Sequence, residues 1–284
     1  MHFAKRFVFK PQPNEEMTMH AGRSIVGALF ALAASAPASA AIREEPVTYK
    51  DGDTVMKGFV VYDDATKARR PGIVVVHEWW GITKHVHDSA RSLAAMGYTA
   101  FIADMYGDGK TADNPKTAGE LSGSVRKNPA LMQARFNAAR DALAKHASVD
   151  PKRIGAIGFC FGGSVALDMA RLGADLAGVA AFHAGLGTST PAAPGKLKAE
   201  LLVQNGADDP FIKPDSVEAF MKEMDAAKAR YRYISYPGAV HAFTNPEATE
   251  AGKKFNLPLA YNAAADKQSK AEMAKFFAKL FGKK

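Results

Sequence analysis

Cysteine is almost absent from this sequence, because Cys160 is the only one in 284 residues. A single cysteine cannot form a disulfide within the chain, so a fold held together by disulfides is excluded. Tryptophan is scarce as well, with only Trp79 and Trp80. A lone thiol is either an inert packed side chain or a reactive group, and its sequence neighbours decide between the two.

A basic stripe interleaved with aromatic residues is also missing, although the formal net charge is +8. The lysines are spread along the chain, and a short cluster occurs only at its end, with Lys279, Lys283 and Lys284. We therefore interpret the positive charge as a solvated surface and expect no nucleic-acid partner.

The first 40 residues have the composition of a signal peptide. Arg23 precedes an apolar stretch over residues 25–34, and Ala38-Ser39-Ala40 has the small residues of a cleavage site. The apolar stretch is short for a membrane span, and an uncleaved anchor is the alternative. The sequence thus predicts an N-terminal extension and signal peptide over 1–40, export to the periplasm or medium, and no stable membrane insertion after cleavage.

Residues 41–284 are predicted to form one α/β domain. Strand-like and helix-like patterns alternate, which is typical of a mostly parallel sheet with helices on both faces. The predicted strands are 56–62, 73–77, 99–103, 154–158, 179–182, 201–204 and 231–236. The predicted helices are 87–96, 130–146, 163–172, 215–229 and 263–281. Segments 106–127 and 185–198 show no clear pattern, and we expect pocket rims or plain solvent loops there.

The neighbours of Cys160 favour a reactive thiol. The apolar strand 154–158 ends in Gly158, and Gly162 and Gly163 follow the cysteine closely. This pattern is typical of a strand that turns sharply into a helix and exposes one nucleophile at the bend. A buried structural cysteine beside helix-packing glycines is the alternative.

A cysteine nucleophile needs a base and a group that orients the base. Strand 201–204 is followed by a turn that contains Asp208 and Asp209, and we predict Asp208 as the orienting carboxylate, with Asp209 as the alternative. The next strand is followed by a glycine-containing loop with His241, the only histidine after Asp208. The order nucleophile, acid, histidine is that of the α/β-hydrolases.

Two backbone N–H groups are needed to stabilise the oxyanion of such a reaction. We predict that the amide of Phe161, directly after the nucleophile, supplies one of them. The second is expected from the loop after strand 73–77, where we favour the amide of Trp79.

Four motifs together resemble the dienelactone hydrolase family. They are Gly158-Phe-Cys160-Phe-Gly162-Gly163, Gly206-Ala-Asp208, Gly238-Ala-Val-His241-Ala-Phe and His77-Glu78-Trp-Trp-Gly81. The resemblance covers about residues 54–281. It implies an α/β-hydrolase fold with a triad of Cys160, Asp208 and His241.

The resemblance also implies a role for Glu78. The family has a glutamate at this position that contacts the thiol, keeps it protonated until substrate binds and then receives its proton. A carboxylate beside a partly desolvated thiol is expected to disfavour the ionised thiol, which makes such a proton exchange chemically reasonable. A strand-end glutamate paired with a surface lysine is the alternative.

The sequence departs from the family where the substrate carboxylate is bound. Family members that act on a carboxylated lactone hold it with two arginines, and Asp108 and Asn245 stand at those places here. An aspartate would repel the carboxylate. The sequence therefore predicts weaker turnover of a carboxylated dienelactone than of a neutral short ester.

Other histidines carry weaker signals. His85 and His87 are two residues apart and would project to opposite sides of a helix, so we expect no metal site. His183 ends a predicted strand near the same sheet edge, where it either lines the pocket or has a structural role.

We therefore expect a hydrolase that cleaves small carboxylic esters or lactones through a thioester intermediate, without a cofactor or metal. A binding or thiol redox-sensing protein on the same fold is the alternative.

Overall fold

An eight-stranded sheet organises residues 41–282, the part of the chain that the computed structural model describes. The strands are β1 (Ile42–Asp51), β2 (Thr54–Asp63), β3 (Arg70–Val76), β4 (Thr99–Ala103), β5 (Val149–Phe159), β6 (Gly178–Phe182), β7 (Glu200–Gly206) and β8 (Tyr231–Tyr236). Their order is β1-β2-β4-β3-β5-β6-β7-β8. β2 pairs antiparallel with β1 and β4, and all other neighbours are parallel.

Seven helices accompany the sheet in the described residues. They are α1 (Lys84–Ala95), α2 (Pro115–Arg126), α3 (Pro129–Ala144), α4 (Phe161–Arg171), α5 (Pro214–Ala226), α6 (Ala248–Phe255) and α7 (Ala263–Leu280). Because strand side chains alternate between faces, Val74 and Val76 of β3 pack in one apolar cluster with α3 and α4. Ile73 and Val75 pack in the other with α1 and α7. The predicted mostly parallel sheet with helices on both faces is confirmed.

Segment 106–127 is not the structureless loop that we expected, since α2 occupies its second half. The side chain of Asn114 accepts a hydrogen bond from the Thr117 amide (3.0 Å), and Pro115 follows at the first helical position. An asparagine cap followed by proline is a strong helix start, and its signal was masked by the glycine and lysine content of the segment. Segment 185–198 contains no helix or strand, as predicted.

The predicted signal peptide and its cleavage site lie outside the described residues and stay predictions. Within residues 41–282, no helix has both the length and the apolar character needed to cross a membrane.

Candidate active site

The turn that carries Cys160 joins the centre of the sheet to a helix. β5 ends one residue before Cys160 and α4 begins one residue after it, while Cys160 itself has φ 52° and ψ −115°. A non-glycine residue at positive φ is strained and persists only where the surroundings enforce it. A Cβ on Gly158 would overlap the carbonyl of Gly162, and a Cβ on Gly162 would overlap the carbonyls at the end of β3. The glycines that framed the motif are thus required by close backbone packing.

Cys160 is partly exposed at the wall of a cleft of about 300 Å³. His241, from the loop after β8, lines the same cleft, as do Trp79 and Phe161. The structure therefore brings the predicted nucleophile, the predicted base and both predicted oxyanion residues to one cavity at the carboxyl ends of the strands.

The carboxylate that contacts His241 is Asp209, not Asp208. Nδ1 of His241 lies 2.7 Å from Oδ2 of Asp209, whose side chain is fully buried. Asp208 is exposed, and its amide is bound to the carbonyl of Ala239 (3.0 Å), so its side chain points away while the next residue turns inward. The prediction of Asp208 is corrected, and the alternative, Asp209, takes its place. Two adjacent aspartates in a turn give no sequence signal that separates them.

Charge around His241 favours its protonated form. Burial by itself lowers the pKa of His241, but the charges of Cys160 and Asp209 and hydrogen bonds to both raise the pKa to about 10. Cys160 is the N-cap residue of α4, so the positive end of the helix dipole lies directly behind it. A protonated imidazole next to Cys160 is thus the state of His241 that this geometry supports at neutral pH.

The amides of Trp79 and Phe161 are available for an oxyanion. Phe161 is the first residue of α4, where an amide has no acceptor within the helix. Trp79 lies in the turn after β3, and its carbonyl accepts a hydrogen bond from the hydroxyl of Tyr106 (2.9 Å), which fixes this turn. Neither amide donates a hydrogen bond to another group of residues 41–282.

Glu78 does not lie against the thiol. It is 2% exposed, and its Oε2 accepts a hydrogen bond from Nδ2 of Asn245 (2.7 Å), with Nδ1 of His85 at 3.5 Å. Glu78 and Asn245 line a second cavity of about 180 Å³, whereas Cys160 lines the first. The contact between Glu78 and the thiol that the resemblance implied is therefore replaced by the hydrogen bond to Asn245.

His183 does not line the Cys160 cleft but packs against His241. Its ring is fully buried and meets the ring of His241 edge-on, with 5.3 Å between centroids. Nε2 of His183 lies 2.9 Å from the hydroxyl oxygen of Thr244. Burial, followed by the charge of His241, lowers the pKa of His183 well below its usual value. A neutral His183 thus packs against the protonated imidazole of His241.

Two further residues lie where the sequence did not lead us to expect them. Asp108 is exposed, forms an ion pair with Lys110 (3.7 Å) and is not among the residues that line either cavity. Arg126, at the end of α2, lines the Cys160 cleft together with Ser122. The four-residue spacing of Ser122 and Arg126 on one helix face would have indicated this, but only once α2 had been recognised.

No group of three or more potential metal ligands occurs in the described part of the chain. Of the two histidines considered for such a site, His85 is buried near Glu78, and Nδ1 of His87 is paired with the carboxylate of Glu44.

Residues 56–281 match the Dienelactone hydrolase family. A solved dienelactone hydrolase-like promiscuous phosphotriesterase from metagenomic libraries is 35% identical, with a TM-score of 0.79 over 85% of this chain and 99% of that chain. This likeness confirms the expected α/β-hydrolase fold.

The chain is also similar to curated proteins over most of their length. Protein usf of Aquifex pyrophilus is 28% identical over 225 residues, which are 76% of this chain and 96% of the relative. An Escherichia coli K12 protein, provisionally described as a carboxymethylenebutenolidase, is 30% identical over 226 residues, or 75% of this chain and 79% of the relative.

The assignment of Asp209 can be tested by titration of His241. Asp209→Asn removes one of the charges that raise the pKa of His241, so we expect this pKa to fall by about one unit or more from its raised value. The wild-type imidazole should stay protonated until the pH approaches about 10, and the variant should lose its proton at lower pH. The imidazole Cε1–H resonance, assigned with His241→Ala, reports both titrations.

Asp208→Asn is the matched control, because it removes the same charge from the adjacent exposed residue. Its titration should follow the wild type. A lowered pKa in Asp208→Asn together with an unchanged one in Asp209→Asn would return the orienting role to Asp208.

Proposed function

This chain belongs to the dienelactone hydrolase family and is a hydrolase of esters or lactones, and we propose that it works through an acyl intermediate on Cys160. The observation that carries the proposal is the alignment of three groups at one cleft. Oδ2 of Asp209 lies 2.7 Å from Nδ1 of His241, and His241 lines the cleft together with Cys160, whose charge raises the pKa of the imidazole. This is the arrangement that nucleophilic acyl transfer requires.

In the first half of the proposed reaction, the sulfur of Cys160 attacks the carbonyl carbon of the substrate. The electron pair of the carbonyl bond moves to oxygen, where the amides of Phe161 and Trp79 are available as donors. When the intermediate collapses, the bond to the leaving oxygen breaks and His241 donates its proton to that oxygen. The products of this half are the free alcohol and a thioester of Cys160.

In the second half, His241 takes a proton from water, and the resulting hydroxide attacks the thioester. The sulfur of Cys160 leaves with its electron pair, which restores the pair of thiolate and imidazolium and releases the acid. Asp209 holds the imidazole in one orientation through both halves and stabilises its positive charge.

The size of the cleft favours a small substrate. Its volume of about 300 Å³ is at the lower end of what small-molecule sites offer. Trp79, Phe161 and Leu259 contribute apolar wall, which suits a short acyl chain or a lactone ring.

We expect a burst of chromophore when the protein meets p-nitrophenyl acetate, because acylation of Cys160 releases nitrophenol before the thioester turns over. Cys160→Ala and His241→Ala should abolish the burst and lower kcat/KM by about 1000-fold or more. Stopped-flow absorbance measures both, with circular dichroism as the control for folding. Absence of a burst in the wild type, with preferential reaction of the thiol with peroxide, would favour a thiol redox sensor instead.

We propose that Glu78 influences the reactivity of the Cys160 thiol. The hydrogen bond from Asn245 to Glu78 would control this influence, because it holds the carboxylate in place. In Asn245→Ala the carboxylate loses its hydrogen bond (2.7 Å) and is free to move toward Cys160. A nearby carboxylate disfavours thiolate, so we expect alkylation of Cys160 by iodoacetamide at pH 7 to slow by about threefold to tenfold. The second-order rate constant of alkylation is the measurement.

The double variant Glu78→Gln/Asn245→Ala separates this effect from a structural one. It lacks the carboxylate, so its alkylation rate should return to that of Glu78→Gln alone. If the double variant reacts as slowly as Asn245→Ala, Glu78 has no influence on the thiol.

A further inference from the structure

Among residues 41–282, one side chain with a permanent charge lines the Cys160 cleft, the guanidinium of Arg126. Within that range no aspartate or glutamate lines the cleft, and His241 is the one other basic group in its wall. Cys160 is thus approached through a positively charged cavity. The second cavity is opposite in character, since Glu78, Asp113 and Glu247 line it.

The side chain of Arg126 forms no ion pair and no hydrogen bond with any other group of the described residues. The guanidinium is exposed, and its positive charge acts on the carboxyl of Asp168. Asp168, however, is paired with Arg171 at 3.0 Å. A five-donor guanidinium at the wall of a reactive cleft is therefore free to bind an anion.

The repulsion expected from Asp108 is absent from this cleft. Asp108 is exposed and paired with Lys110, and Asn245 binds Glu78 in the other cavity. The residues that replace the two family arginines therefore place no negative charge beside the substrate of Cys160. The positive charge comes instead from a different element, the last turn of α2.

We propose that Arg126 is an anion-recognition residue of this cleft and that it selects esters or lactones carrying a carboxylate. This inference rests on the proposed hydrolase function and names its substrate class. A guanidinium binds a carboxylate through two parallel hydrogen bonds, and partial desolvation in the cleft strengthens them. The expectation of weak turnover for carboxylated substrates, drawn from positions 108 and 245 alone, is reversed.

Three p-nitrophenyl esters of similar length and different charge test the selectivity. They are the hexanoate, which is neutral, the adipate monoester, which is anionic, and the ε-aminohexanoate, which is cationic. In the wild type, kcat/KM should be highest for the adipate and lowest for the ε-aminohexanoate. In Arg126→Gln the adipate-to-hexanoate ratio should fall by about tenfold, and Arg126→Glu should favour the cation.

Lys127→Gln is the matched control. Lys127 is the next residue, it is exposed, and it does not line the cleft, so this variant loses the same charge without altering the wall. Its adipate-to-hexanoate ratio should equal that of the wild type. An equal fall in both variants would mean that net charge, not Arg126, sets the preference.

A second measurement does not depend on hydrolysis. Because Cys160 is the only cysteine, alkylation reports on this cleft alone. The rate ratio of anionic iodoacetate to neutral iodoacetamide should fall about threefold to tenfold in Arg126→Gln and stay constant in Lys127→Gln. His241 attracts iodoacetate equally in all variants and cancels in the comparison.

The two measurements separate the possible failures. If esters are hydrolysed by Cys160 but neither ratio depends on Arg126, the anion-recognition proposal is wrong and the hydrolase proposal stands. If no ester is hydrolysed but the alkylation ratio depends on Arg126, the hydrolase proposal is wrong and Arg126 still recognises anions. Loss of both effects in correctly folded protein overturns both proposals.

Discussion

The whole site depends on the close approach of α4 to the ends of β3 and β5. The first turn of α4 lies so near these strands that only glycine fits at 158 and 162. This packing holds Cys160 at positive φ and projects its sulfur from the centre of the sheet, with the N-terminus of α4 behind it. The other site residues lie near Cys160, because the loops after β3, β7 and β8 start at the same edge of the sheet.

The charges around this turn are divided between two adjacent cavities. Cys160, His241 and Arg126 line one, while Glu78 lies in the other, bound to Asn245. This division keeps the carboxylate of Glu78, the residue before Trp79, out of the cavity that Cys160 lines. The neutral imidazole of His183 beneath His241 adds no competing charge to the floor of the site.

Much of this arrangement could be predicted from the sequence, and the failures have physical reasons. The central parallel strands could be predicted because each is a run of apolar residues. The edge strand β1 was not predicted, because it is charged and its side chains are mostly exposed. The sharp turn at Cys160 was recognisable because its glycines and its cysteine are neighbours in the sequence. Asp209 and the hydrogen bond of Glu78 to Asn245 were not, since they depend on which way adjacent side chains turn and on groups far apart in the chain.

The central claim is that Cys160 carries the acyl group, and intact-protein mass spectrometry tests it most directly. Wild-type protein mixed with p-nitrophenyl hexanoate and quenched in acid during the burst should gain one hexanoyl group. Peptide mapping should place this group on Cys160, and hydroxylamine should remove it, as expected for a thioester. Turnover without any adduct on Cys160, or with the acyl group on another residue, would contradict the account.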